Sequence, residues 1–117
     1  MKKEARLLRI FIGESDKHEG KLLSDYLIEL FRKEGLAGAT MVRGMKGFGK
    51  NSHMHSTSIL RLSSDLPIVI EVTDTKENID RIKPAVLDAV KEGLVTEEKV
   101  EIIFYGTKTG TMSGTKT

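Results

Sequence analysis

Residues 67–72 read PIVIEV, and residues 9–12, RIFI, begin 58 positions earlier. Both runs are short, apolar and rich in β-formers, so each reads as a strand. The same offset of 58 separates KEGLA at residues 33–37 from KEGLV at residues 91–95. Two matches at one offset point to two βαβ halves in one chain.

Working outward from these runs, Leu7 to Ile12 form a strand that leaves through Gly13 into the polar stretch ESDKHEG. Leu22, Leu23, Tyr26, Leu27, Leu30 and Phe31 then recur at helical spacing, which predicts an amphipathic helix over about 20–34 that stops at Gly35. Ala39 to Val42 begin a second strand, and Ser58 to Leu62 read as a return strand. After PIVIEV, Asp74 and Thr75 can cap a second helix marked by Ile79, Ile82, Val86, Leu87 and Val90. Pro84 falls inside that helix and predicts a kink. VEIIFY at residues 100–105 reads as the last strand. With the return strand at Ser58–Leu62 set aside, the order β-α-β-β-α-β is the ferredoxin-like plan, an α+β fold with an antiparallel sheet and both helices on one face. Residues 1–105 make one such domain. Residues 106–117, GTKTGTMSGTKT, form a polar tail expected to be mobile unless a partner holds it.

The strands are apolar on both sides: Ile10 and Ile12 oppose Leu7 and Phe11, and Ile68 and Ile70 oppose Val69. Two helices cover only one sheet face, and a one-sided antiparallel sheet alternates apolar with polar residues. The other face therefore calls for a partner, most simply another copy of the chain.

Bulk properties narrow the function. The 117 residues suit a single core, and a net charge of +2 gives no electrostatic push toward nucleic acid or an anionic membrane. The absence of cysteine excludes disulfides and thiolate metal sites and fits the cytoplasm. No apolar run approaches the ~18 residues of a membrane span, and MKKEARLL lacks a signal-peptide core.

Between the second strand and its return strand lies RGMKGFGKNSHMHS, residues 43–56. Gly44, Gly47 and Gly49 can bring backbone N–H groups close to an anion, and Arg43, Lys46 and Lys50 add charge. The spacing is neither a Walker A loop nor a dinucleotide fingerprint. KGFG at residues 46–49 opens like an RNA-recognition signature, but Lys50, Asn51, Ser52 and His53 stand where stacking aromatics belong, so nucleic acid is not expected. His53 and His55 make a His-x-His pair without further ligands, an incomplete metal site. A hairpin tip whose glycines serve turns and whose lysines serve solubility is the plainer reading of the whole stretch. No nucleophile elbow or acid/base carboxylate pair is evident, so no catalytic residue is assigned and an enzyme is not expected. Glu14, Asp16 and Glu19 read as caps of the first helix.

LLRIFIGESDKHEGK, GLAGATMVRGMKGFG, LSSDLPIVIEVTD and VKEGLVTEEKV together resemble the uncharacterised PII-like branch related to the PII signalling proteins and to CutA. The resemblance covers about Leu7 to Tyr105. It implies a homotrimer with sheets facing a three-fold axis, and an adenine nucleotide held in clefts between subunits. Residues 43–56 would correspond to the PII T-loop and signal to a target protein, a membrane transporter or an enzyme. The turn at Gly93–Lys99 would correspond to a second phosphate-contacting loop. There the carboxylates of EGLVTEEK would repel a triphosphate, favouring AMP, ADP or cyclic AMP over ATP, with no cofactor required. Arg43, Gly44, Gly47, Phe48, Gly49 and Lys50 are the candidate nucleotide contacts. A CutA-like metal-binding trimer using His53 and His55, and a ligand-free adaptor, are the alternatives.

Overall fold

A computed structural model describes residues 3–48, 65–107 and 110–111. The strands are β1 (Lys3–Gly13), β2 (Lys17–His18), β3 (Lys21–Leu22), β4 (Thr40–Arg43), β5 (Pro67–Thr75), β6 (Leu94–Ile102), β7 (Gly106–Thr107) and β8 (Gly110–Thr111). The helices are α1 (Leu23–Lys33) and α2 (Lys76–Ala89). The main sheet runs β4-β5-β1-β6 with every neighbour antiparallel. Each βαβ unit therefore skips one strand position, the split arrangement of the ferredoxin-like fold. The two runs at offset 58 lie side by side at its centre, with Ile10 opposite Ile70 and Ile12 opposite Ile68.

One sheet face carries the core. Leu8, Ile10 and Ile12 of β1 and Ile68, Ile70 and Val72 of β5 meet Leu23, Leu27 and Phe31 of α1 and Ile79, Ile82 and Val86 of α2. Leu23, Leu27 and Phe31 in α1 and Ile79, Ile82 and Val86 in α2 recur at helical spacing, so a single stripe on each helix is enough to close this layer. Burying each such side chain contributes about 1.5–3 kcal/mol.

Helix α1 starts three residues later than its periodicity suggests, because residues 17–22 form a miniature hairpin. Glu19 and Gly20 turn it with φ of 51° and 85°, as a two-residue turn of the primed type requires. At its other end, Leu36 N donates to Phe31 O and Gly35 N to Arg32 O, a Schellman closure. Helix α2 is capped by Thr75, whose hydroxyl accepts from Asn78 N at 3.2 Å. It runs on through Pro84 from Lys76 to Ala89. Pro84 is exposed, so the carbonyl that loses its partner is on the solvent side.

The last strand differs most from its expected position. It spans 94–102 instead of 100–105, and the turn expected at Gly93–Lys99 is strand from Leu94 onward. Charge pairing explains how so polar a segment enters the sheet. Glu97 meets Arg6 at 3.2 Å and Lys83 at 2.6 Å on the helix side, while Glu98 meets Arg9 at 2.9 Å on the other. A charged edge strand also resists edge-to-edge pairing. Pairing with β1 runs as far as Lys3 opposite Ile102, and the chain then leaves the sheet. Ile103 and Phe104 are thus exposed, and Tyr105 reaches back, its hydroxyl donating to Ala37 O at 3.1 Å. Of the 106–117 tail, Gly106–Thr107 pair with Gly110–Thr111. The return strand expected at Ser58–Leu62 lies outside the described residues.

The outer sheet face is not uniformly apolar. One row across all four strands, Val42–Val69–Phe11–Leu94, is apolar. The next, Thr40–Glu71–Arg9–Thr96, is polar and carries a 2.8 Å ion pair between Arg9 and Glu71. The two carboxylates beside Arg9, Glu71 first, hold its guanidinium charged more firmly than in water.

Candidate functional site

The exit of β1, the end of β4 and the entry to β5 come together at one end of the sheet, since Gly13 lies opposite Pro67 and Arg43 opposite Ile68. Gly44 N donates to Pro67 O at 2.7 Å, and Glu14 N donates to Leu66 O at 2.8 Å. Ser15 Oγ donates to Asp65 Oδ1 at 2.9 Å, and Asp16 Oδ2 accepts from Gly13 N at 3.0 Å. The segment that departs after Arg43 and returns at Asp65 is therefore tied at both ends to the loop that follows β1.

Arg43 sits at this junction. Its Nη1 donates to Glu14 Oε2 at 2.7 Å, and its side chain is still 56% exposed. The other carboxylate oxygen, Glu14 Oε1, is shut off from solvent and has no hydrogen-bond partner among the described residues. A buried acceptor left in that state costs about 1–3 kcal/mol. Gly44 and Gly47 keep ordinary negative-side backbone angles, as only Gly20, Gly35 and Gly93 among the described glycines have positive φ. Close approach is their role: a Cβ on Gly44 would lie 2.8 Å from Pro67 Cγ, and one on Gly47 3.2 Å from it. The Gly44 N–H is taken by Pro67 and is not a spare donor for a ligand. Met45 and Phe48 project outward, 93% and 75% exposed. Gly49, Lys50, His53 and His55 lie outside the described residues.

The loop carboxylates do not cap α1 as expected. Asp16 bonds within its own loop, Glu14 bonds Arg43, and Glu19 lies in the β2–β3 turn, 3.8 Å from His18. Glu14 was the functional candidate that periodicity missed. Antiparallel pairing of RIFI with PIVI would have revealed it, because that register sets Gly13 against Pro67 and so brings Glu14 to the base of the 43–66 excursion. The connection from α2 into β6 reaches the same end of the sheet, where Gly93 (φ 147°) lies against Phe11: a Cβ there would lie 2.3 Å from Phe11 O. Of the carboxylates expected to repel phosphate in this region, Glu97 and Glu98 are already paired with cations.

A separate open groove of about 760 Å³ crosses the outer sheet face between Thr40, Glu71 and Thr73 on one side and Val100, Ile102 and Tyr105 on the other. No group of three or more metal-binding side chains occurs among the described residues. No helix among them is long and apolar enough to cross a membrane.

This βαββαβ chain has the fold of the PII-like proteins. It superposes on a putative PII-like signaling protein (TTHA0516) from Thermus thermophilus with a TM-score of 0.59 at 17% identity, covering 86% of this chain and 90% of that one. CPII from Thiomonas intermedia K12, in a structure bound to ADP and bicarbonate, gives 0.56 at 17% identity, covering 87% and 91%. The chain belongs to the DUF190 family, described as Uncharacterized ACR, COG1993, whose model matches residues 5–102. It is 39% identical over 102 residues to a UPF0166 protein of Aquifex aeolicus (strain VF5), covering 85% of this chain and 93% of that protein. It is 37% identical over 93 residues to the UPF0166 protein MJ1524 of Methanocaldococcus jannaschii, covering 79% and 85%.

Proposed function

We propose that this PII-like protein is a trimeric, non-enzymatic regulator. It binds an adenine nucleotide in clefts between subunits and signals to a target protein through residues 43–56. The observation that carries the reading is the junction around Arg43. An exposed guanidinium stands at the root of a long excursion whose two ends are pinned to the core by Gly44–Pro67 and Glu14–Leu66. An anion captured there acts on the whole segment at once, which is how a phosphate contact becomes a signal. Structures of the fold neighbour CPII with ADP, and with ADP, AMP and acetate, support an adenine nucleotide as the ligand class. The apolar row Val42–Val69–Phe11–Leu94 supports a sheet face covered by other copies of the chain.

ADP and AMP remain the first ligands to test, although Glu97 and Glu98, held in ion pairs, repel a triphosphate less than free carboxylates would. Thermal shift with AMP, ADP, ATP, cyclic AMP, copper and zinc tests the reading. Stabilisation by a nucleotide, lost in Arg43→Ala, is the expected outcome. A shift with metal alone, abolished by replacing His53 and His55, replaces it with the metal-binding reading. No shift with any of them leaves the adaptor.

A further inference from the structure

We infer that Glu14 is a specificity-determining residue of the Arg43 corner, acting as a built-in competitor for the phosphate. This rests on the nucleotide reading given above. The Glu14 carboxylate occupies Arg43 Nη1 at 2.7 Å, where a phosphate oxygen of a bound nucleotide would sit. It cancels part of the charge the corner offers, so ligands of higher negative charge lose more of their attraction than ligands of lower charge.

The geometry also makes the competitor easy to displace. Among the described residues, Glu14 makes one side-chain hydrogen bond, to Arg43, while Oε1 is buried without a partner. A side chain satisfied at both oxygens would resist displacement more. When a phosphate takes Arg43, Glu14 gives up a single bond and gains the chance to hydrate both oxygens. Its backbone remains tied to Leu66 O at 2.8 Å, so the exchange occurs beside the point where the excursion returns. The side chain that yields to phosphate thus belongs to the residue whose backbone holds the return of the excursion.

Titration calorimetry of wild-type protein and Glu14→Gln with adenosine, AMP, ADP and ATP tests this. E14Q keeps the shape and removes the charge. It should bind ADP and ATP roughly two- to fivefold more tightly, the factor expected when an exposed ion-pair competitor is removed. The gain should increase from AMP to ATP, be absent for adenosine and shrink at high salt. Glu14→Asp, which keeps the charge, should retain the wild-type order of affinities, and Glu14→Ala should follow E14Q. Unchanged or weaker ADP binding in both E14Q and Glu14→Ala, with ADP binding intact in wild type, overturns this inference alone. An equal gain for adenosine also overturns it, since charge would not be the cause. If wild type binds none of the four, the nucleotide reading and this inference fail together.

Discussion

Asp74 holds Ala37 in place: its Oδ2 accepts the Ala37 backbone N–H at 2.8 Å, from a side chain only 2% exposed as a residue. Its other oxygen accepts from Thr75 N at 2.7 Å and from Asn78 Nδ2 at 2.9 Å. One carboxylate therefore joins the start of α2 to the segment entering β4. Ala37 is gripped on its carbonyl side as well, by the Tyr105 hydroxyl. Asp74→Ala should cost roughly 3 kcal/mol, since it leaves several donors without their charged acceptor. Urea unfolding measures this, and Asp74→Asn should fall between wild type and Asp74→Ala. A loss below about 0.5 kcal/mol would mean that water replaces the carboxylate freely.

Gly93→Ala should be harmful out of proportion to one methyl group. The φ of 147° is strained for any L side chain, and the new Cβ would meet Phe11 O at 2.3 Å. Backbone must move, at a cost of roughly 1–3 kcal/mol or more. The shift would displace the entry to β6 relative to β1, so calorimetric melting should fall while far-ultraviolet dichroism of the folded state changes little.

The outer-face row makes the assembly testable without disturbing the core. Val69 lies in that row between Val42 and Phe11. Val69→Lys should leave a folded protein but reduce the proposed trimer to smaller species in light scattering at micromolar concentration. A trimer that survives this change is held by some other surface.

Acid should weaken the α2–β6 corner through Asp80. Its carboxyl is held below the ordinary value of 3.8, chiefly by the Lys76 hydrogen bond and then by Lys83. A lowered folded value means the contribution is present above pH 3.8 and is lost as pH falls through that lower value. The melting temperatures of wild type and Asp80→Asn should differ at neutral pH and converge in that acidic range. Lys83, raised above 10.5 mainly by Glu97, works in the opposite direction. Its contribution is complete below 10.5 and fades at more alkaline pH.

The central strands and the helices were legible because period and offset report directly on burial. Ile10, Ile70, Leu27 and Ile79 announce their faces whatever surrounds them. The last strand was misplaced because an apolar run, VEIIFY, outweighed a charged one, TEEK. What admits Thr96 to Lys99 to the sheet is pairing with Arg6, Arg9 and Lys83, cations distant in sequence. At the candidate site, Arg43 and the glycines stood out by composition. Their partners Glu14 and Pro67 did not, because only the register of β1 against β5 brings them there. For the same reason Gly44 looked like a spare donor, whereas its N–H is taken by Pro67 O and its lack of a Cβ makes room for the Pro67 ring.

The Gly44–Pro67 bond has a consequence for how this chain can vary. It brings two backbone positions into contact across 22 intervening residues, so one short hydrogen bond closes a long loop. Closing a loop costs only ~0.6 kcal/mol more for each doubling of its length. Lengthening the chain between these two positions should therefore add little to the cost of closing this end of the sheet, which the bond itself holds shut.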